Sequence, residues 1–461
     1  MNFNKFRKFV LFLTGFFIYG SIVYVAALNE NKCRDNKNQE TSLKCKFFPI
    51  ISFPSRTLYT GFLDFKKLLI KGNISRLSAY NSYKSELRFN KYKPGFNFSY
   101  IKGSRPRSGF LLLANGDPYQ NGYPNIELWD LNMQKIIKKW NLQKAINYIK
   151  RINGNIAYFN NPIITENKGL VFSTPSSGGY LIKIDSDGEV VASNDKYYFH
   201  HSINQDQNGN FYICISDKKL KGLKEGFAIL DKNLNILETY FIDDIYGKYN
   251  LRPRLYSNIS PAPVHINDVQ PLIRKDQQKV DTVLISLKNT SSILEFNFLS
   301  NRINWIIDGI TSQQHDVDIV DIEPLKISVF NNNLKIVNGQ LKPEINNEII
   351  FINGFPRTKN LNPKLIFNYS PNLEYPYPKL NIKKIDFQNL PKNLTPQTLF
   401  GGLHEVNDYY KTIIIEEGNH GRIFEYDFNA NKILWTFLNK EKNNNKYYQL
   451  MWSRFYEDFP L

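Results

Sequence analysis

Five times between residues 126 and 435 an apolar strand ends in Asp or Asn, turns within a few residues and restarts as a second apolar strand. The copies are Ile126-Glu-Leu-Trp-Asp130 to Lys135-Ile-Ile, Leu181-Ile-Lys-Ile-Asp185 to Glu189-Val-Val, and Ala228-Ile-Leu-Asp231 to Asn235-Ile-Leu. They continue with Ile293-Leu-Glu-Phe-Asn297 to Arg302-Ile-Asn-Trp305 and Ile423-Phe-Glu-Tyr-Asp427 to Lys432-Ile-Leu-Trp435; Leu365-Ile-Phe-Asn368 reads as a sixth, weaker copy. Anchors at 130, 185, 231, 297, 368 and 427 lie 46 to 71 residues apart. Each copy reads as the outer hairpin of a four-stranded sheet, and no copy is long enough to bury both its faces alone. Six sheets must therefore stack on one another, which predicts an all-β, six-bladed β-propeller over residues 105–461. Sandwich domains would need repeats of roughly 100 residues. The abundance of Tyr and Phe, 28 and 34 residues, fits strands.

Ahead of the repeats, residues 1–8 are basic and form a cytoplasmic tail in this reading. Phe9 to Leu28 is then an uncharged run of 20 residues, long enough to span a bilayer core. It predicts a transmembrane signal anchor over 9–28, with the basic flank cytoplasmic and the rest exported to the periplasmic or extracellular face. A cleaved signal peptide is the alternative, with Val25-Ala26-Ala27 as cleavage site. Residues 29–104 read as a membrane-proximal connector with a helical stalk over Leu58 to Leu87. Cys33 and Cys45 are spaced for a disulfide outside the cytosol, and Cys214 reads as a core residue. The net charge of +17 is dispersed and carries no nucleic-acid-binding motif, so nucleic acid is excluded as partner. No cysteine or histidine spacing suggests zinc, and neither metal nor cofactor is expected. Oligomeric state is left open.

The chemistry-bearing residues are the six histidines, His200, His201, His265, His315, His404 and His420. Most fall upstream of the hairpin marks, where the inner strands of a blade should lie. That would gather them around the central channel, and imidazole suits nucleophilic and proton-transfer work near neutral pH. Alternation along a strand puts only one of His200 and His201 on the channel side; His201 is taken as that one. His404, in Gly401-Gly-Leu-His404, repeats the position of His265.

Four stretches carry a family resemblance. Phe199-His-His-Ser-Ile-Asn-Gln-Asp-Gln-Asn-Gly-Asn210, His265-Ile-Asn-Asp268, Ile285-Ser-Leu-Lys288-Asn-Thr-Ser-Ser-Ile293, and Gln314-His315-Asp316 followed by Val329-Phe-Asn-Asn332 resemble, in order, motifs of the bacterial arylsulfate sulfotransferases. The resemblance implies an exported propeller enzyme that moves a sulfuryl group from a phenolic sulfate ester to a phenol. It would use no nucleotide sulfate donor and would pass through a sulfohistidine. It implies His315 as nucleophile, with His265 and His201 binding sulfuryl oxygens or exchanging a proton with the phenol oxygen. Lys288 joins this catalytic set, and Asn267, His200 and His404 are taken as substrate-binding residues. The sequence departs from the family at Lys288, where the family strand carries arginine. Lysine keeps the charge but not the planar two-point grip. The alternative function is a non-catalytic propeller that binds a ligand or protein at the cell envelope.

Overall fold

The computed structural model describes residues 83–460 apart from internal stretches, chiefly 100–106, 118–122, 154–158, 252–263, 356–366 and 370–379. The tail, the apolar run 9–28, the Cys33–Cys45 pair and most of the expected stalk lie outside the described residues. Among the described residues no helix is long and apolar enough to cross a membrane.

The fold is a six-bladed β-propeller. Blade 1 is built from Phe110–Asp117, Tyr123–Asp130 and Lys135–Lys139, with Arg454–Tyr456 added as its innermost strand. Blade 2 follows as Asn160–Ile164, Leu170–Thr174, Tyr180–Ile184 and Val190–Asn194. Blade 3 is Tyr198–Gln205, Phe211–Ser216, Glu225–Leu230 and Ile236–Phe241. Blade 4 is Ile266–Pro271, Thr282–Leu287, Ser292–Asn297 and Arg302–Asp308. Blade 5 is His315–Ile322, Leu325–Asn331, Glu348–Asn353 and Asn381–Ile385. Blade 6 is Leu403–Asn407, Thr412–Glu417, Arg422–Asp427 and Lys432–Leu438.

The Asp or Asn that marks each hairpin closes its turn. Asp231 Oδ1 accepts the backbone N–H groups of Asn233 and Asn235, both at 2.8 Å. Asp185, Asp427 and Asn297 accept turn N–H groups in the same way. A short polar side chain that bonds the backbone two to four residues on is what such a turn needs. In blades 1, 4 and 6 a Glu of the third strand also takes a tryptophan indole N–H: Trp129 on Glu127, Trp305 on Glu295 and Trp435 on Glu425, at 2.7–2.8 Å.

The sixth copy of the module is the exception. Phe367–Tyr369 is a fifth strand of blade 4, parallel to Arg302–Asp308. The outer pair of blade 5 is instead Glu348–Asn353 with Asn381–Ile385. These two strands are joined by a long excursion rather than a tight turn, so no Asp-turn signal marks them.

The core is distributed as well. Six clusters of buried apolar side chains each lie between two neighbouring blades. Leu112 and Ile126 of blade 1 meet Phe172 and Ile182 of blade 2, for example, and Phe330 of blade 5 meets Ile415 and Phe424 of blade 6. Middle strands such as Phe211–Ser216 are buried on both faces, so they are apolar throughout rather than alternating. Burial of this kind stabilises by about 25 cal/mol per Å² of apolar surface and is the main force holding blade to blade.

The ring is closed by both ends of the described chain. Arg454–Tyr456 pairs with Phe110–Leu112 inside blade 1, and Gly95–Phe98 pairs with Trp435–Leu438 on the outside of blade 6. The propeller therefore takes in residues ahead of 105, in the stretch expected to be a connector.

Candidate active site

The innermost strands of neighbouring blades lie side by side around the channel, and their first residues meet at one end of it. His201 begins this for blade 3, His265 for blade 4 and His315 for blade 5. The His201 ring lies 4.9 Å from that of His265 and 6.3 Å from that of His315, centre to centre. Trp452, ahead of the last strand, is 5.9 Å from His201 and gives the group an aromatic wall.

Regular strands would not produce this cluster. The inner strands of blades 2, 3, 4 and 5 each carry a bulge near their start, at Asn160/Ile163, His200/Ile203, Ile266/Asp268 and His315/Val317. Asn161, His201, His265, Asp316 and Trp452 all have φ between +48° and +59°. Such backbone is disfavoured for residues with a Cβ and persists where surrounding contacts over-determine it. A bulge re-aims the side chains on either side of it.

The contacts that impose it form a closed ring. The Asn160 amide donates to the His201 carbonyl, and Val269 N–H donates to Ser202 Oγ. Val317 N–H donates to Asp268 Oδ2 at 2.9 Å, and His404 N–H donates to Asp316 Oδ2 at 2.6 Å. Trp452 and Ser453 N–H donate to Glu416, and Asn161 N–H donates to the Met451 carbonyl. Each of these segments is thus bonded to the neighbouring blade, and the charged members are buried where such bonds are worth most.

His315 is buried, and its Nδ1 lies 2.7 Å from Asn332 Oδ1. The Asn332 amide nitrogen donates to the carbonyls of Gly401 and Thr398, which turns its oxygen to the imidazole. His315 therefore carries its proton on Nδ1 and keeps the Nε2 lone pair. Burial, aided by the nearby Lys288 charge, pushes its pKa down to about 3, so the ring is neutral at pH 7. Burial likewise depresses His201 and His265, and Lys288 adds to both.

Lys288 is buried and follows the second strand of blade 4. Its backbone N–H donates to the His265 carbonyl. Burial lowers its ammonium to about 8, which leaves it charged at neutral pH. His265 N–H donates to Glu225 Oε2 at 2.5 Å. The Asn267 amide donates to the Gln314 carbonyl at 2.7 Å and braces the residue before His315; its own Oδ1 is buried with no partner among the described residues.

The remaining expected residues sit around this group. His200 stands behind His201, with Nδ1 2.6 Å from His201 Nδ1 and Nε2 2.9 Å from Ser216 Oγ. His404 lies further along the channel, Nδ1 against Asp316 Oδ2 and Nε2 against Ser328 Oγ, both at 2.7 Å. Asp316, Asp318 and His404 bring one ligand atom each within 4.8 Å of the others, so among the described residues this is the group that could hold a cation. Both nitrogens of His404 are already engaged, however. A cavity of about 40 Å³ lies here, lined by Asp268, Asp316, Asp318 and Arg454 among others. At the far end of the inner strands the channel opens into a cavity of about 420 Å³ walled by Ile163, Ile319, Ile322, Arg454 and Tyr456.

Reading the sequence assigned no role to Asn332, Trp452, Asp268 or Asp316. Asn332, Asp268 and Asp316 do lie within the quoted motifs, whereas Trp452 reaches the site only because the C-terminal strand closes blade 1.

This arrangement offers a neutral nucleophilic nitrogen, two further imidazoles, one ammonium and an aromatic wall. No curated protein matches the chain. Solved structures similar to it include a protein of unknown function from Bacteroides caccae, with 11% identity over 72% of this chain and 93% of that one and a TM-score of 0.42. Others are the β-propeller domain of Myceliophteria thermophila Cps50 (Swd1), with 9% identity, 77% and 99% coverage and a TM-score of 0.42, and Kuenenia stuttgartiensis hydrazine synthase, with 12%, 72% and 81%, and 0.41. Two family profiles, each described as arylsulfotransferase (ASST), match residues 139–309 and 256–375. Together they span just over half of the chain, from the end of blade 1 into blade 5, and take in His201, His265, Lys288 and His315. The chain is a member of the arylsulfotransferase family.

Proposed function

We propose that this propeller transfers a sulfuryl group from an aryl sulfate ester to a phenolic acceptor in two steps, with His315 Nε2 as the nucleophile. The observation that carries the reading is the hydrogen bond between His315 Nδ1 and Asn332 Oδ1. Asn332 holds the proton on Nδ1 and burial keeps the ring neutral, so Nε2 has a free lone pair beside two other imidazoles. In the first step Nε2 attacks sulfur, the N–S bond forms and the S–O bond to the aryl group breaks. In the second the acceptor oxygen attacks sulfur and Nε2 leaves. Splitting one hard displacement into two in this way is the advantage of covalent catalysis.

Sulfuryl transfer, like phosphoryl transfer, rests on positioning and on positive charge near the equatorial oxygens. Lys288 supplies that charge in this reading, and Trp452 offers a stacking face for the aryl ring. In the same proposal residues 9–28 anchor the propeller to a membrane and deliver it to the exported side.

The test is intact mass after incubation with an aryl sulfate. Wild type should gain one sulfuryl group, His315→Asn should gain none, and a phenol should discharge the adduct. Absence of both the adduct and phenol release across a range of donors would favour a binding propeller instead, with Lys288 in place of arginine as its mark.

A further inference from the structure

We infer that His200, Ser216 and Glu225 form a proton relay behind His201, so that His201 Nε2 can give a proton to the departing phenol and take one from the incoming phenol. The inference rests on the sulfuryl-transfer reading of the site.

Four side chains stand in line. His201 Nδ1 meets His200 Nδ1 at 2.6 Å, and His200 Nε2 meets Ser216 Oγ at 2.9 Å. Ser216 is the cross-strand partner of Glu225, which sets their side chains beside one another on the same face of the sheet, where the hydroxyl favours the Glu225 carboxylate. His200, Ser216 and Glu225 are all buried, at 4%, 6% and 4% exposure, which isolates the line from bulk water.

Two nitrogens cannot share a bond as short as 2.6 Å unless one donates and the other accepts. That constraint leaves two states of the whole line. When Glu225 is protonated it donates to Ser216, Ser216 donates to His200 Nε2, and His200 Nδ1–H donates to His201 Nδ1. His201 then carries its proton on Nε2 and is an acid. When Glu225 is ionised every bond reverses. His201 Nδ1–H donates to His200, His200 Nε2–H donates to Ser216, Ser216 donates to the carboxylate, and His201 Nε2 is a bare base.

The cycle balances. As the S–O bond of the donor breaks, the phenolate takes the proton of His201 Nε2, three protons shift along the line, and Glu225 ends as a carboxylate. His315 now bears the sulfuryl group, and its ring carries the positive charge that matches the new carboxylate. When the acceptor phenol attacks sulfur, its proton passes to His201 Nε2 and the line shifts back to Glu225. No solvent proton is needed in either step.

Glu225 is suited to both states. It accepts the N–H of His265, and those of Val264 and Ile266 also turn to it, which steadies the anion. Burial nonetheless raises its carboxyl to about 8, so the protonated form is populated near neutrality.

The experiment is the rate of phenol release in single turnover, with donors whose leaving phenols range from nitrophenol to unsubstituted phenol. Ser216→Ala interrupts the line yet leaves the backbone bonds of Glu225 in place. A nitrophenolate leaves without a proton, so Ser216→Ala should release it at nearly the wild-type rate. Release of unsubstituted phenol should fall about 100-fold or more, the usual worth of general acid catalysis. Ser216→Thr, which keeps the hydroxyl, should restore it, and Glu225→Gln should show the same selective loss as Ser216→Ala. An equal loss for all donors in Ser216→Ala would overturn the relay while leaving sulfuryl transfer intact. A wild-type protein that releases no phenol from any donor would overturn both.

Discussion

Asn332 holds His315 by a single hydrogen bond of 2.7 Å, and that bond decides which nitrogen of His315 carries the proton and which keeps its lone pair. Its own amide is fixed in turn by the carbonyls of Gly401 and Thr398, which belong to the approach to blade 6. Partners that orient a reactive group in this way are typically worth 10- to 100-fold. Asn332→Ala should therefore lower the rate of sulfuryl uptake by roughly that factor, while the KM for the donor changes little. Single-turnover phenol release measures it. A full-rate Asn332→Ala protein would mean that the tautomer is set elsewhere.

With a nitrophenyl donor, whose leaving group needs no proton from the Glu225 line, Lys288 should set the alkaline limit of activity. Its ammonium is charged below about 8 and neutral above, because burial disfavours the charged form. Activity should fall as pH rises through about 8. Lys288→Met should remove nearly all turnover, and Lys288→Arg, charged throughout, should move the limb to higher pH. The kcat/KM profiles of wild type and Lys288→Arg decide this: an identical alkaline limb in both would assign it to another group.

Glu417 and Arg422 form a buried ion pair of 2.7 Å, with Arg88 3.1 Å from the same carboxylate. Burial alone would raise Glu417, but the two arginines prevail and lower it from 4.5 to about 2. A carboxylate depressed in the folded state stabilises above its unfolded pKa, and the contribution fades as pH falls through the folded value. Glu417→Gln leaves Arg422 buried without its partner and should cost about 3–5 kcal/mol at neutral pH. Chemical denaturation should show that gap narrowing between pH 4.5 and about 2. A gap that stays constant over that window would contradict the assignment.

Gly402 has φ +113°, and a Cβ there would lie 2.4 Å from Cε1 of Phe330, itself fully buried between blades 5 and 6. The ring has nowhere to go without opening that interface. Gly402→Ala should destabilise by about 1–3 kcal/mol or more, from overpacking added to backbone strain. It should also weaken sulfuryl transfer, since the neighbouring Gly401 carbonyl holds Asn332. Thermal melting and phenol release report the two effects, and unchanged values of both would show that the turn can relax.

Much of this architecture is written locally. A hairpin closed by Asp231 needs only the residues of its own turn, so the repeat that contains it reads directly from the chain and predicts stacked blades. The histidines are legible for the same reason, since few side chains do their chemistry. Phe367–Tyr369 marks where local reading stops: its strand pattern is real, yet the sheet it joins is chosen by an edge of blade 4 that lies some sixty residues earlier in the chain. The site goes further in that direction. The positive φ at His201 and Asp316 is held by bonds from the next blade, and the orientation of His315 is held by Asn332 together with two carbonyls of the segment before blade 6. Propensity and periodicity describe a residue and its near neighbours. The conformation of these residues is determined by groups that become neighbours only when six blades close into a ring.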